Sequence, residues 1–73
     1  MRYTVVLERD PSGLVVAHVP TLRGCVSQGK TKREAMRNIK EAISLYIETL
    51  IEHGQSVPVE TGREMVELSV VGK

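Results

Sequence analysis

Thr31 stands three residues ahead of Glu34, and a long apolar stripe follows at Ala35, Met36, Ile39, Ala42, Ile43, Tyr46, Ile47, Leu50 and Ile51. Steps of three and four place these residues on one face of a 3.6-residue period, so the spacing predicts an amphipathic helix over residues 32–53. The T-x-x-E spacing is that of a capping box. The Thr31 hydroxyl accepts from the Glu34 backbone N–H, and the Glu34 carboxylate reaches back to the N–H of Thr31. His53 and Gly54 close the stripe, because glycine can turn left-handed past a helix end without a Cβ clash. A helix of this kind must lie on something apolar, and the rest of the chain has to supply that surface.

The charges on this helix run against its dipole. Lys30, Lys32, Arg33, Arg37 and Lys40 crowd the first half, while Glu48 and Glu52 sit in the last turns. The macrodipole favours the reverse by a few tenths to about 1 kcal/mol per charge. Such a breach marks either a solvated face that tolerates the penalty or a surface that a partner compensates.

The segments before the helix read as strands. Residues 3–8 alternate, with Tyr3, Val5 and Leu7 on one face, and Arg9-Asp10-Pro11-Ser12-Gly13 is a turn cluster. Residues 14–19 form a second strand, ended by Pro20, which cannot donate to a ladder. Residues 21–24 are a loop and 25–28 a third strand, with Gly29 giving the turn into the helix. Gly24 and Gly29 read as backbone positions needing unusual φ. After Gly54, an irregular linker leads to a fourth strand over 64–71, where Val66, Leu68 and Val70 alternate with Glu67 and Ser69. The order β-β-β-α-β describes a two-layer α+β domain: one helix on an antiparallel meander, plus a last strand returned by a right-handed crossover beside the first.

With 73 residues, the chain is one domain near the lower size limit for independent folding, burying only about 60 percent of its unfolded surface. Cys25 is its single cysteine and Tyr3 and Tyr46 its only aromatics, so no internal disulfide supplements the core. Self-association is the remaining common route, and a homodimer or homotetramer is expected. No segment approaches the roughly 20 apolar residues that cross a bilayer. The N-terminal apolar run is too short for a signal peptide, so the expected compartment is the cytoplasm.

Catalysis needs clustered polar groups, and the sequence offers none. His18 near a strand end and His53 at a helix end read as structural or surface residues. Cys25 reads as a small buried thiol, and two histidines with one cysteine make neither a zinc site nor a hydrolytic one. The glycines match no phosphate loop, so no cofactor is expected. The net charge of +1 disfavours wholesale non-specific binding of nucleic acid. The cluster Lys30, Lys32, Arg33, Arg37 and Lys40 is the local exception.

The phrase Pro20-Thr21-Leu22-Arg23-Gly24-Cys25-Val26-Ser27-Gln28-Gly29-Lys30-Thr31-Lys32-Arg33-Glu34-Ala35, followed by Asn38, Glu41 and Ala42, resembles the HicB antitoxin family. That family's pattern runs approximately P-x-L-x-G-C-x-[ST]-x-G-x-T-x-x-E-A, then N-x-x-E-A. Pro20, Gly24, Cys25, Gly29, Thr31 and Glu34 are the matching structural positions. The resemblance implies a truncated ribonuclease H-like core without catalytic carboxylates. It also implies a protein-binding function: neutralisation of a HicA-like toxin, a small ribonuclease that cleaves mRNA. Residues 1–73 correspond to the N-terminal HicB domain alone, without the C-terminal DNA-binding domain that many relatives carry. Lys30, Lys32 and Arg33 fall where relatives often carry acidic residues. The expected function is therefore a non-enzymatic antitoxin; the alternative is a nucleic-acid-binding accessory protein using the basic half of the helix.

Overall fold

The computed structural model describes residues 2–60. Three short strands, β1 (Val6–Arg9), β2 (Val15–His18) and β3 (Val26–Gly29), precede one helix, α1 (Lys32–Glu52). The strands form an antiparallel sheet in the order β1-β2-β3. The expected fourth strand, 64–71, lies outside the described residues, and the ribonuclease H-like detail of the expectation lies there with it. What remains of the expectation, three antiparallel strands and a helix in two layers, is the observed architecture.

The alternation of side chains across the pleat decides which face the helix covers. Val15, Ala17 and Val19 are buried and join Leu22, Cys25, Ala35 and Ile39 in one core cluster. Tyr3, Val5 and Leu7 pack against that cluster, as their period-two spacing predicts, together with Ala42, Ile43 and Tyr46. Val6, Val16 and Val26 take the opposite, open face, with His18 and Glu8 beside them. The His18 Nδ1 lies 3.9 Å from the Glu8 Oε1.

Local chemistry fixes each junction. In the first turn, Asp10 Oδ1 accepts from the Ser12 N–H at 2.9 Å, the Ser12 hydroxyl at 2.6 Å and the Leu14 N–H at 3.0 Å. Gly13 follows with φ +93°, so the Asx geometry and the left-handed glycine close the hairpin together. Between β2 and β3 the backbone folds twice: the Leu22 N–H donates to the Val19 carbonyl, and the Cys25 N–H to the Leu22 carbonyl. Leu22 is fully buried, so the segment expected as a plain loop is pinned by its own apolar anchor.

The helix begins and ends nearly where its spacing predicts. The Glu34 N–H donates to Thr31 Oγ1 at 3.1 Å. The reciprocal contact is displaced by one residue: Glu34 Oε1 accepts from the Lys30 N–H at 2.9 Å, not from Thr31. At the other end, the Gly54 N–H donates to the Ile51 carbonyl and the Gln55 N–H to the Leu50 carbonyl. With Gly54 at φ +67°, these two bonds are a Schellman closure. The expected burial of the helix face needs correction among the described residues. Ala35 and Ile39 are the buried helix positions, whereas Ile43 and Leu50 are half-buried, because α1 runs on past the short strands beneath it.

Candidate partner-binding surface

The two glycines of the motif do different work. Gly24 has φ +78°, the left-handed conformation expected for it. Gly29 does not; its requirement is space. A Cβ there would lie 2.6 Å from the Ala35 backbone nitrogen and 2.8 Å from the Glu34 Cβ. The first turn of α1 therefore seats directly on the end of β3, which is why helix and strand pack so closely. Asn38 locks the same junction, its Nδ2 donating to the Gln28 carbonyl at 2.8 Å.

That contact falls on a sheet edge. The Val19 N–H donates to the Cys25 carbonyl at 3.1 Å, making 19 and 25 a hydrogen-bonded pair. Antiparallel alternation then turns the backbone groups of Val26 and Gln28 outward, away from β2. Asn38 occupies one of those outward carbonyls. The sequence pattern contained Asn38, but only the structure shows that it shields the edge, a common protection of exposed strands.

Beside this edge lies an apolar cleft of about 460 Å³, lined by Gly24, Cys25, Val26, Ala42, Leu45, Tyr46, Thr49 and Leu50. Val26 and Leu45 are 57% and 65% exposed. Cys25 contributes to the wall but is itself buried, and its burial pushes the thiol above its ordinary pKa. A raised pKa keeps the sulfur protonated and inert, in keeping with a packing role. A second cleft, about 440 Å³, lies on the other flank of α1 between Val5, Met36, Arg37, Ile39, Lys40 and Ile43.

The basic cluster is divided by the fold. Lys30, Lys32, Arg33, Arg37 and Lys40 are all exposed. Arg33, Arg37 and Lys40, at i, i+4 and i+7, share one stripe, and the last two border the second cleft. Lys32 stands apart, against Leu7, Glu8, Arg9 and Val15. Lys30 sits in the turn ahead of the helix, held by Glu34. Among the described residues, no three His, Cys, Asp or Glu side chains come together as a metal would require, and no helix is long and apolar enough to cross a membrane.

The sequence matches the family described as HicB_like antitoxin of bacterial toxin–antitoxin system over residues 3–69. The chain belongs to that family. It is 49% identical to a UPF0150 protein of Thermoplasma acidophilum over 65 residues, covering 89% of this chain and 94% of that one. A UPF0150 protein of Synechocystis is 55% identical over 58 residues, covering 80% and 73%. The fold matches the crystal structure of the N-terminal domain of Burkholderia pseudomallei antitoxin HicB with a TM-score of 0.75 and 32% identity, over 86% of this chain and 74% of that one. Gly29, Thr31, Glu34 and Asn38, all part of the pattern that resembles this family, are the residues that seat the helix on the strand, whereas Gly24 serves the turn before β3.

Proposed function

We propose that this chain is an antitoxin that binds and neutralises a small HicA-type, mRNA-cleaving toxin in the cytoplasm, with no ribonuclease activity of its own. The observation that carries this reading is family membership across residues 3–69, joined to the fold of an antitoxin's N-terminal domain. The architecture suits the role. Among the described residues its surface offers a sheet edge that Asn38 shields only in part and two apolar clefts, the features by which small domains hold other proteins. Co-expression with the product of an adjacent short reading frame tests it. Rescued growth and a copurifying complex are the expected results; a toxic product that this chain neither binds nor suppresses sinks the reading.

A second reading follows from Arg33, Arg37 and Lys40 sharing one exposed stripe: contact with nucleic-acid phosphates. Binding of that kind weakens steeply with salt, because each neutralised phosphate releases counterions. Charge reversal at Arg33 and Arg37 then abolishes a salt-sensitive RNA or DNA complex, whereas the antitoxin reading predicts no such complex to abolish.

A further inference from the structure

The sheet face turned away from α1 carries a titratable group at its centre. The strand register sets Val6, His18 and Val26 in one cross-strand row and Glu8, Val16 and Gln28 in the next. β2 is the middle strand, so Val16 and His18 lie at the centre of this patch and the others flank them. The His18 Nδ1 stands 3.9 Å from the Glu8 Oε1, with the two side chains 36% and 70% exposed. That separation is longer than a hydrogen bond, and Glu8 keeps most of its contact with water. From β3 the imidazole meets Val26 and Gln28, and along β2 itself Val16, none of them charged. The charged residues that flank the strands in sequence are Arg2, Asp10, Arg23 and Lys30. Asp10 is taken up by Ser12 and Leu14, and the other three are cations.

We infer that a second copy of this chain packs against this face near neutral pH, and that protonation of His18 releases it. A two-fold contact pairs a patch with itself, and this patch suits such pairing. With the imidazole neutral, its centre is uncharged, and the one carboxylate among the paired strand residues, Glu8, stays on the edge strand in water. Valines of the two copies then meet without any charge being buried between them. Nucleic acid is a poor occupant by comparison, because the cationic stripe of Arg33, Arg37 and Lys40 belongs to α1, in the other layer. The small core, which no internal disulfide supplements, gives the association its purpose.

The central position of His18 sets the sign of the pH effect. Covering the face takes the imidazole out of water, and burial penalises its charged form. Residues that share a face of one strand stand about 7 Å apart. A two-fold axis through the middle of the patch therefore keeps the two imidazoles within about 10 Å of each other, where salt screens their repulsion only in part. Glu8, beyond hydrogen-bond length and largely solvated, offsets only a fraction of both costs. The associated state thus binds fewer protons than the separate chains. Association is full above the imidazole range and weakens as pH falls through about 6.5.

Sedimentation of the full chain at about pH 8 and about pH 5.5 tests this, since carboxylates stay ionised across that range and imidazoles do not. The wild type should associate at the higher pH and weaken by about tenfold or more at the lower. His18→Gln should associate alike at both. His18→Lys, charged throughout, should associate at least about tenfold more weakly than His18→Gln at both. Position 18 is half-exposed, so circular dichroism of the two variants should match the parent. Wild-type association that is constant or strengthens on acidification overturns the switch. So does a pH response that survives in His18→Gln, because His53, at the C-terminal end of α1, would then be its source. A wild type that is monomeric at the higher pH overturns the contact and the switch together. Toxin binding is a separate measurement, and the antitoxin reading stands or falls apart from these outcomes.

Discussion

Ile39 and Leu50 belong to the same apolar stripe of α1 but meet different surroundings. Ile39 is 1% exposed and packs in the core cluster; Leu50 is half-buried at the cleft wall. Replacing Ile39 by alanine removes buried methylenes and leaves a cavity, at a cost of about 2–5 kcal/mol. Leu50→Ala should cost less, about 1–2 kcal/mol, because part of its surface is already in water. Urea unfolding of both variants checks this, and equal losses would mean that Leu50 is covered as fully as Ile39. Gly29→Ala is the sharper change. Its new Cβ would fall 2.6 Å from a backbone nitrogen, and backbone cannot rotate aside as a side chain can. Strand or helix must move, at about 1–3 kcal/mol; an unchanged unfolding midpoint would show that the junction has slack. Gly29 shows where sequence reasoning falls short. Its importance is legible, but the sequence points to φ as the cause, and the structure shows instead the approach of an element joined to it by only two intervening residues. Leu22 was missed for a related reason: a lone leucine between Pro20 and Gly24 shows no periodicity, so its anchor role depends on the third dimension.

The helix was the most readable part of the chain, because its cap, stripe and terminating glycine are all local signals. Thr31→Ala removes the hydroxyl that accepts from Glu34 and should lower stability by about 1 kcal/mol. The displaced partner of Glu34, the Lys30 N–H rather than that of Thr31, was beyond the pattern, since one residue of register depends on the path out of Gly29. The strands were found in order but shifted by up to three residues at their ends, because ladder pairing, not composition, sets where a strand starts. The first turn carries a prediction about pH. The Ser12 hydroxyl, aided by backbone N–H groups, holds the Asp10 carboxyl below its ordinary value. A depressed carboxylate pKa gives stability that is present above the unfolded-state pKa and lost as pH falls through the folded one. The stability gap between wild type and Asp10→Ala should therefore narrow between about pH 7 and about pH 3. A constant gap would show that the ionised form adds nothing to the turn.

At the scale of the molecule, the described residues have a small core and a large apolar remainder. The buried cluster contains two alanines and no aromatic residue, while Val26, Met36, Leu45, Ile51 and Val59 are all substantially exposed. A domain this small commonly needs a disulfide, a metal or self-association, and Cys25 is buried and unpaired. We expect the free protein to be a dimer or tetramer, as its length alone suggested. The open sheet face is the natural contact, because Val6, Val16 and Val26 lie on it in the pairing rows set by the strand register, and among the paired strand residues its one acidic side chain is Glu8, near His18. On the outward side of α1, by contrast, a two-fold contact at Glu41 and Glu48 would set like charges against each other. Two measurements separate these surfaces. Sedimentation at micromolar concentration should show a species heavier than the 8.1 kDa monomer, and Val16→Glu should shift it toward monomer while E41K/E48K leaves it unchanged. A single 8.1 kDa species for the wild type would falsify self-association, and dissociation by E41K/E48K instead would place the contact on the helix flank.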